Sequence, residues 1–193
     1  ISIGMFNQLS GINAILYYLN TIFESAGFSK SSGDLQAIAI GATNLIATMI
    51  AMAVIDRIGR KTMLLIGSIG TGLSMAGVSW VFSTQAHQNL LVWLLVGFIG
   101  FFAFSQGAVI WVYLSEVFPT RVRAKGQSLG SFTHWAMNAI ISGTFPVIAA
   151  SSGAAPFVFF AAMMVVQFAV VAVWYPETKG HTLEEMQHKL GIS

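Results

Sequence analysis

The chain has 193 residues, of which 8% are charged and 55% are hydrophobic, whereas soluble domains carry about 25% charged residues. With a mean hydropathy of +0.75, the composition excludes a water-soluble globular domain and a disordered chain. The net charge of +2 indicates no nucleic-acid partner, and the absence of cysteine excludes disulfides, thiol nucleophiles and cysteine zinc sites.

Four stretches of the chain contain no charged residue, namely 1–23, 35–55, 62–115 and 126–176. A helix needs about 20 apolar residues to cross a membrane. The two longer stretches are each divided by a polar break, so they hold two spans apiece. The sequence therefore predicts an all-α membrane protein with six transmembrane helices. The predicted spans are 3–26, 35–55, 62–82, 90–115, 126–149 and 156–175.

The basic residues predict the orientation of these spans. Eight of the nine follow spans two, four or six, and only Lys30 lies on the opposite side. By the positive-inside rule, the side with more basic residues is cytoplasmic. We therefore expect a multi-pass protein of the inner or plasma membrane with both chain ends in the cytoplasm. The eight residues are Arg57, Arg60, Lys61, Arg121, Arg123, Lys125, Lys179 and Lys189.

The chain divides into a transmembrane part, residues 1–176, and a cytoplasmic tail, residues 177–193. Thr182 and Glu185 have the spacing of a capping box, which predicts a short helix in the tail. The chain begins at Ile1 and shows no signal-peptide pattern. We expect it to be part of a longer protein.

Polar side chains lie within the spans, where each needs a hydrogen-bond partner. Span one carries Asn7, Gln8 and Asn13, and helix packing seldom needs three amides in seven residues. A bend or unwound turn at Gly11 would let all three face one cavity, because glycine tolerates distorted backbone. Span one is therefore predicted to line a binding site.

Three other spans contribute further polar residues. Span two carries Asn44, span four carries Trp111 beside a polar patch, and span five carries His134 with Asn138 one turn later. Spans one and four open the two triplets of helices, and interruptions at corresponding positions are typical of a transporter site. For Asn44 and His134, a role in helix packing is the alternative.

No residue of fixed charge lies in the middle of any predicted span. Amides, an imidazole and an indole suit a neutral solute with many hydroxyl groups, because amides both donate and accept and an indole face packs on C–H groups. A carboxylate substrate or a metal would require a charged partner. We therefore expect neither a metal nor a cofactor.

Residues 7–18 resemble the seventh span of sugar porters of the major facilitator superfamily. Residues 56–61, 115–123 and 176–180 are similar to that family's signatures after the eighth, tenth and twelfth spans. The four motifs agree in order and spacing and extend over the whole chain. The resemblance implies the C-terminal six-helix half of such a porter, with its 3+3 inverted repeat.

The resemblance also implies roles for individual residues. The implied sugar-binding residues are Asn7, Gln8, Asn13, Asn44, Trp111, His134 and Asn138. The implied outer gate is formed by Tyr17 and Tyr18. The implied cytoplasmic ion-pair network consists of Asp56, Arg60, Glu116 and Arg123. Relatives often carry Gln at the place of Asn7, Asn or Gln at that of His134, and prolines around Gly107.

We therefore expect a secondary transporter that moves a neutral sugar or related polyol by alternating access, together with an N-terminal half and the lipid bilayer. Proton coupling stays open, because the family's coupling acid lies in the N-terminal half. A membrane sugar sensor without transport is the alternative. An enzyme is not expected, since the chain has no His-Glu-x-x-His motif and no pair of acidic residues in the middle of a span.

Overall fold

The fold was obtained as a computed structural model, which describes residues 1–180 apart from the side chains of residues 30–34. Every regular element in this described part is a helix. The helices form six segments in the order of the predicted spans. The helix predicted to start at Thr182 lies outside the described residues.

Segment one is divided into three short helices, α1 (Ser2–Leu9), α2 (Ile12–Tyr17) and α3 (Leu19–Ser25). Gly11 separates α1 from α2 with a φ of 87°, in the left-handed region that favours glycine. A Cβ atom at Gly11 would also lie 2.4 Å from the ring of Phe160. The bend predicted at Gly11 is therefore present, and both the backbone and the neighbouring ring require glycine.

The other five segments are long helices, one of them interrupted. Segment four begins as α6 and continues through a π segment, which is Ala103–Gly107, into α7. A π segment widens the helix locally and often marks a functional site. The long helices are α4 (Lys30–Ile58), α5 (Arg60–Thr84), α6 (Leu90–Phe102), α7 (Ala108–Glu116), α8 (Arg123–Ser151) and α9 (Ala155–Trp174).

Four helices of the described part are long and apolar enough to cross a membrane. They are Leu35–Ile58, Arg60–Thr84, Leu90–Glu116 and Ala155–Trp174. Segment one consists of short pieces, and α8 is rich in serine, threonine and glycine. The crossing of the membrane by these two segments therefore remains a prediction.

Close packing of α1 on α8 brings the polar residues of both helices together. A Cβ atom on Gly4 would lie 2.8 Å from the carbonyl oxygen of Gly130, so the two backbones touch. Gly126 faces Phe118, whose ring a Cβ atom would approach to 2.5 Å. The glycine pair of α8 thus serves helix packing, and this packing positions His134 beside α1.

Candidate functional site: a polar cavity and an ion-pair cluster

A partly open cavity of about 370 Å³ lies between segments one, two, four and five. Ile12, Leu16, Phe102 and Ile110 provide apolar walls. Six of the seven predicted sugar-binding residues line the cavity. These six are Asn7, Gln8, Asn13, Asn44, Trp111 and His134.

A directed chain of hydrogen bonds connects the amides of segment one. The Nδ2 of Asn13 donates to Oε1 of Gln8 at 3.0 Å, and the Nε2 of Gln8 donates to Oδ1 of Asn7 at 3.0 Å. The Nδ2 of Asn7 in turn donates to the backbone carbonyl of Gln106 at 3.3 Å. The side-chain oxygens of Gln8 and Asn7 each accept from the preceding amide. These bonds determine which end of each amide is the oxygen and which is the nitrogen.

His134 lies between Gln8 and Trp111. The Nε2 of Gln8 is 3.3 Å from both ring nitrogens, and the ring centroids of His134 and Trp111 are 5.3 Å apart. The Nε2 of Gln8 can only donate, so the ring nitrogen that accepts its hydrogen bond must be the unprotonated one of the two. His134 is buried, whereas Trp111 remains 45% exposed at the cavity wall.

Three polar groups of the cavity are free to meet a ligand. Within the described part of the chain, no hydrogen bond is made by Oδ1 of Asn13, the side-chain amide of Asn44 or the indole N–H of Trp111. At Asn44 the backbone carbonyl accepts from the hydroxyl of Thr48, and the side-chain amide takes no part in that bond. The cavity therefore offers an acceptor, an amide with both functions and a donor, which matches the needs of hydroxyl groups.

Asn138 lies outside the cavity and contacts the predicted outer gate. Its Nδ2 donates to the hydroxyl of Tyr17 at 3.4 Å, and its Oδ1 accepts from Ser142 at 2.9 Å. Tyr17 is 62% exposed, while the ring of Tyr18 stacks on Phe145 with the centroids 5.4 Å apart. The sugar contact of Asn138 and the gate role of both tyrosines remain predictions.

An ion-pair cluster at one end of the bundle joins three of the four predicted network residues. The guanidinium of Arg60 donates to both carboxylate oxygens of Glu116, at 3.0 and 2.6 Å, and lies 2.8 Å from the carboxylate of Asp56. Thr178 donates to Glu116 at 2.6 Å. Bidentate pairing of this kind is strong and directional, so the cluster connects α5, α7 and the segment after α9.

Arg123 does not join this cluster. Its Nε lies 3.4 Å from the carbonyl oxygen of Phe118, and its Nη2 donates to the hydroxyl of Thr120 at 3.2 Å. Among the described side chains it makes no ion pair. Its place in a cytoplasmic network remains a prediction.

Glu177 is a member of this site to which the sequence assigned no role. Its carboxylate accepts from the backbone N–H groups of Arg60 at 2.9 Å and Lys61 at 3.0 Å, and so caps α5. Gly59, with a φ of 96°, leaves the space, since a Cβ atom there would lie 2.6 Å from the carboxylate. A cap supplied from 117 residues away cannot be read from local spacing.

Comparison with known proteins agrees with this architecture. The family model described as "Sugar (and other) transporter" matches residues 1–190. The chain belongs to this family. The D-xylose-proton symporter of Escherichia coli K12 is 32% identical over 97% of this chain, and the glucose facilitated diffusion protein of Zymomonas mobilis is 34% identical over 97%. These matches cover 40% and 41% of the two relatives.

A solved structure supports the same sugar porter fold. The major facilitator proton:xylose symporter XylE bound to 6-bromo-6-deoxy-D-glucose superimposes with a TM-score of 0.89 at 32% identity, over 97% of this chain and 41% of that one. The predicted membership of the sugar porters and the all-helical half of a major facilitator fold are thereby confirmed. The relatives are transporters, and this chain spans about 40% of their length.

In this sugar porter chain, the interruption expected in span four takes the form of the π segment, which ends at Gly107. The segment places Ser105 and Gln106 in the protein interior. The backbone carbonyl of Gln106 then accepts from Asn7, so the irregular backbone of segment four is bonded to the amide chain of segment one.

Proposed function

We propose that this chain forms one six-helix half of a membrane carrier for a neutral sugar, and that the polar cavity is one wall of its binding site. The observation that carries the proposal is the cavity that gathers six predicted ligands and leaves three of their polar groups free. The names of two relatives, a xylose symporter and a glucose facilitator, support a monosaccharide as the substrate class.

The polar residues of the cavity have two different roles in the proposed binding. Both polar atoms of Gln8 have protein partners, and this side chain holds Asn7, Asn13 and His134 in place. The free groups of Asn13, Asn44 and Trp111 would bind the hydroxyls. A sugar that lacks a matching hydroxyl leaves such a group unpaired, which costs about 1–3 kcal/mol. The site thus selects among sugars while binding each only moderately.

Transport requires that the cavity open alternately to the two sides of the membrane. We propose that a second six-helix half closes the open side of the cavity, and that the ion-pair cluster lies at the cytoplasmic end. The two ends of the described chain meet there, since the hydroxyls of Ser2 and Tyr175 are 2.7 Å apart. Six of the basic residues that predict the cytoplasmic side follow spans two and four. Arg60 of the cluster is one of them, and Glu116 ends the helix of span four.

The test is counterflow of radiolabelled sugars in proteoliposomes that contain the full-length protein. We expect accumulation of at least one labelled pentose or hexose against an excess of the unlabelled sugar inside. A protein that binds sugar but shows no counterflow would be a sensor and would contradict the proposal. A pH-sensitive dye in the same vesicles reports whether protons accompany the sugar.

A further inference from the structure

A second, much smaller cavity of about 10 Å³ adjoins the sugar cavity at Asn7. This volume is close to that of a single water molecule. Asn7, Gln106 and Gln167 line it together with apolar side chains from α1, α5, α7 and α9. Asn7 borders both cavities, so its amide forms part of the wall between them.

Two buried carbonyl oxygens of this small cavity have no partner. Gln106 is 1% exposed and Gln167 is 2% exposed, and the Oε1 atom of each accepts no hydrogen bond from the described residues. Of three such oxygens in the described part, these two line the same cavity. Leaving a buried acceptor unpaired is costly, and within a membrane protein the cost is not relieved by bulk water.

The amide of Gln106 is oriented by a contact on its other side. Its Nε2 donates to the sulfur of Met164 at 3.3 Å, which leaves Oε1 for the small cavity. Met164 lies three residues before Gln167, so both occupy the same face of α9. The two free carbonyls therefore come from two different segments, the π segment and α9.

We infer that this cavity binds one structural water molecule that bridges Gln106 and Gln167. Water has two O–H donors for the two acceptors, and the second N–H of the Asn7 amide is placed to donate to the water oxygen. A bound cation is disfavoured, since Ca²⁺ and Mg²⁺ take six or more oxygen ligands and this cavity offers two carbonyls. The water connects α9 to the π segment at the back of Asn7.

A structure of the full-length transporter at a resolution that shows ordered waters tests the site directly. We expect one density peak about 3 Å from both carbonyl oxygens. A direct bond between the two glutamine amides, or a peak surrounded by six oxygens, would overturn the inference.

A mutant cycle in the full-length transporter provides an independent test. Gln167→Leu should lower the melting temperature by about 3 °C or more, because it leaves Gln106 or the water unpaired. The double variant Gln106→Leu/Gln167→Leu should recover most of that loss, because it removes both acceptors. Gln127→Leu, a control on α8 that lines neither cavity, should leave the melting temperature unchanged.

Additive losses in the double variant, or no loss in Gln167→Leu, would contradict the bridge. Neither the density nor the melting temperature depends on transport. Failure of the proposed sugar transport would therefore leave this inference standing, and failure of the water site would leave the sugar proposal standing.

Discussion

At the scale of single residues, both polar atoms of the Gln8 side chain have partners within the protein. Its oxygen accepts from Asn13, and its nitrogen donates to Asn7 and contacts the ring of His134. A side chain so occupied organises its neighbours in addition to any contact of its own with the sugar. Its removal is therefore expected to disturb three other cavity residues at once.

Gln8→Ala is expected to raise the half-saturation concentration for sugar at least tenfold, since the variant loses several buried hydrogen bonds of about 1 kcal/mol each. The measurement is initial uptake against sugar concentration in cells expressing the full-length protein, with its membrane level determined by blotting. Gln127→Ala is the control, because Gln127 lines no part of the cavity. An unchanged half-saturation concentration at normal expression would refute the role of Gln8.

His134 is expected to act as a hydrogen-bond acceptor for Gln8 as well as an aromatic neighbour of Trp111. His134→Phe keeps a ring but loses the acceptor, so sugar affinity should fall by about fivefold. His134→Asn retains an acceptor oxygen and should recover much of that loss. Sugar titrations by isothermal calorimetry would distinguish the two variants, and equal affinities would show that the acceptor is unimportant.

At the scale of the helices, two irregularities shape the cavity. The break at Gly11 redirects segment one so that Asn7, Gln8 and Asn13 reach the same space. The π segment presents the backbone carbonyl of Gln106 to Asn7. The sequence predicted a break at both places, but the hydrogen bond between them depends on how segments one and four pack.

The start of α5 provides a prediction at this scale. Glu177→Ala removes the carboxylate that caps the helix through Arg60 and Lys61. The free energy of unfolding should fall by about 0.5–2 kcal/mol, the usual effect of losing a cap. The measurement is thermal unfolding of the detergent-solubilised protein. Glu24→Ala, at an exposed position at the end of α3, should change the stability far less.

At the scale of the whole molecule, the ion-pair cluster lies at one end of the bundle and the amides lie in its interior. Arg60, Glu116 and Thr178 join three segments that are distant in sequence. Arg60 is only 8% exposed, so its charge depends on its acidic partners. The cluster is thus in a position to hold this end of the molecule closed.

Arg60→Ala is expected to open the cytoplasmic end of the full-length protein, because it leaves the carboxylate of Glu116 without its cation. This chain contains no cysteine, so once any cysteine elsewhere in the full-length protein is replaced, one introduced at Ser115 reports opening through its rate of maleimide labelling. We expect faster labelling in Arg60→Ala and reversal in the charge swap Arg60→Glu/Glu116→Arg. Arg121→Ala, whose side chain is exposed, should label at the unmodified rate.

The cavity and the ion-pair cluster differ in how far the sequence predicts them. The amides of segment one are close in sequence, so their number within seven residues and a bend at Gly11 already indicated a shared site. The sequence predicted Asn138 for the sugar site and Arg123 for the ion-pair cluster. In the structure Asn138 bonds to Tyr17, and Arg123 bonds to its own loop. Their partners depend on side-chain directions, which spacing along one helix does not determine.

The sequence by itself determined the membrane environment, the six helical segments, the family and six of the residues that line the cavity. Hydropathy, charge placement and short motifs are local properties of the chain. The bilayer and the surrounding water act directly on hydropathy and charge, without any tertiary contact. Only the tertiary structure decided that Glu177 caps α5 and that Gln106 and Gln167 share a cavity. These contacts join segments 58 or more residues apart. The cap also depends on Gly59, where a Cβ atom would collide with the carboxylate of Glu177.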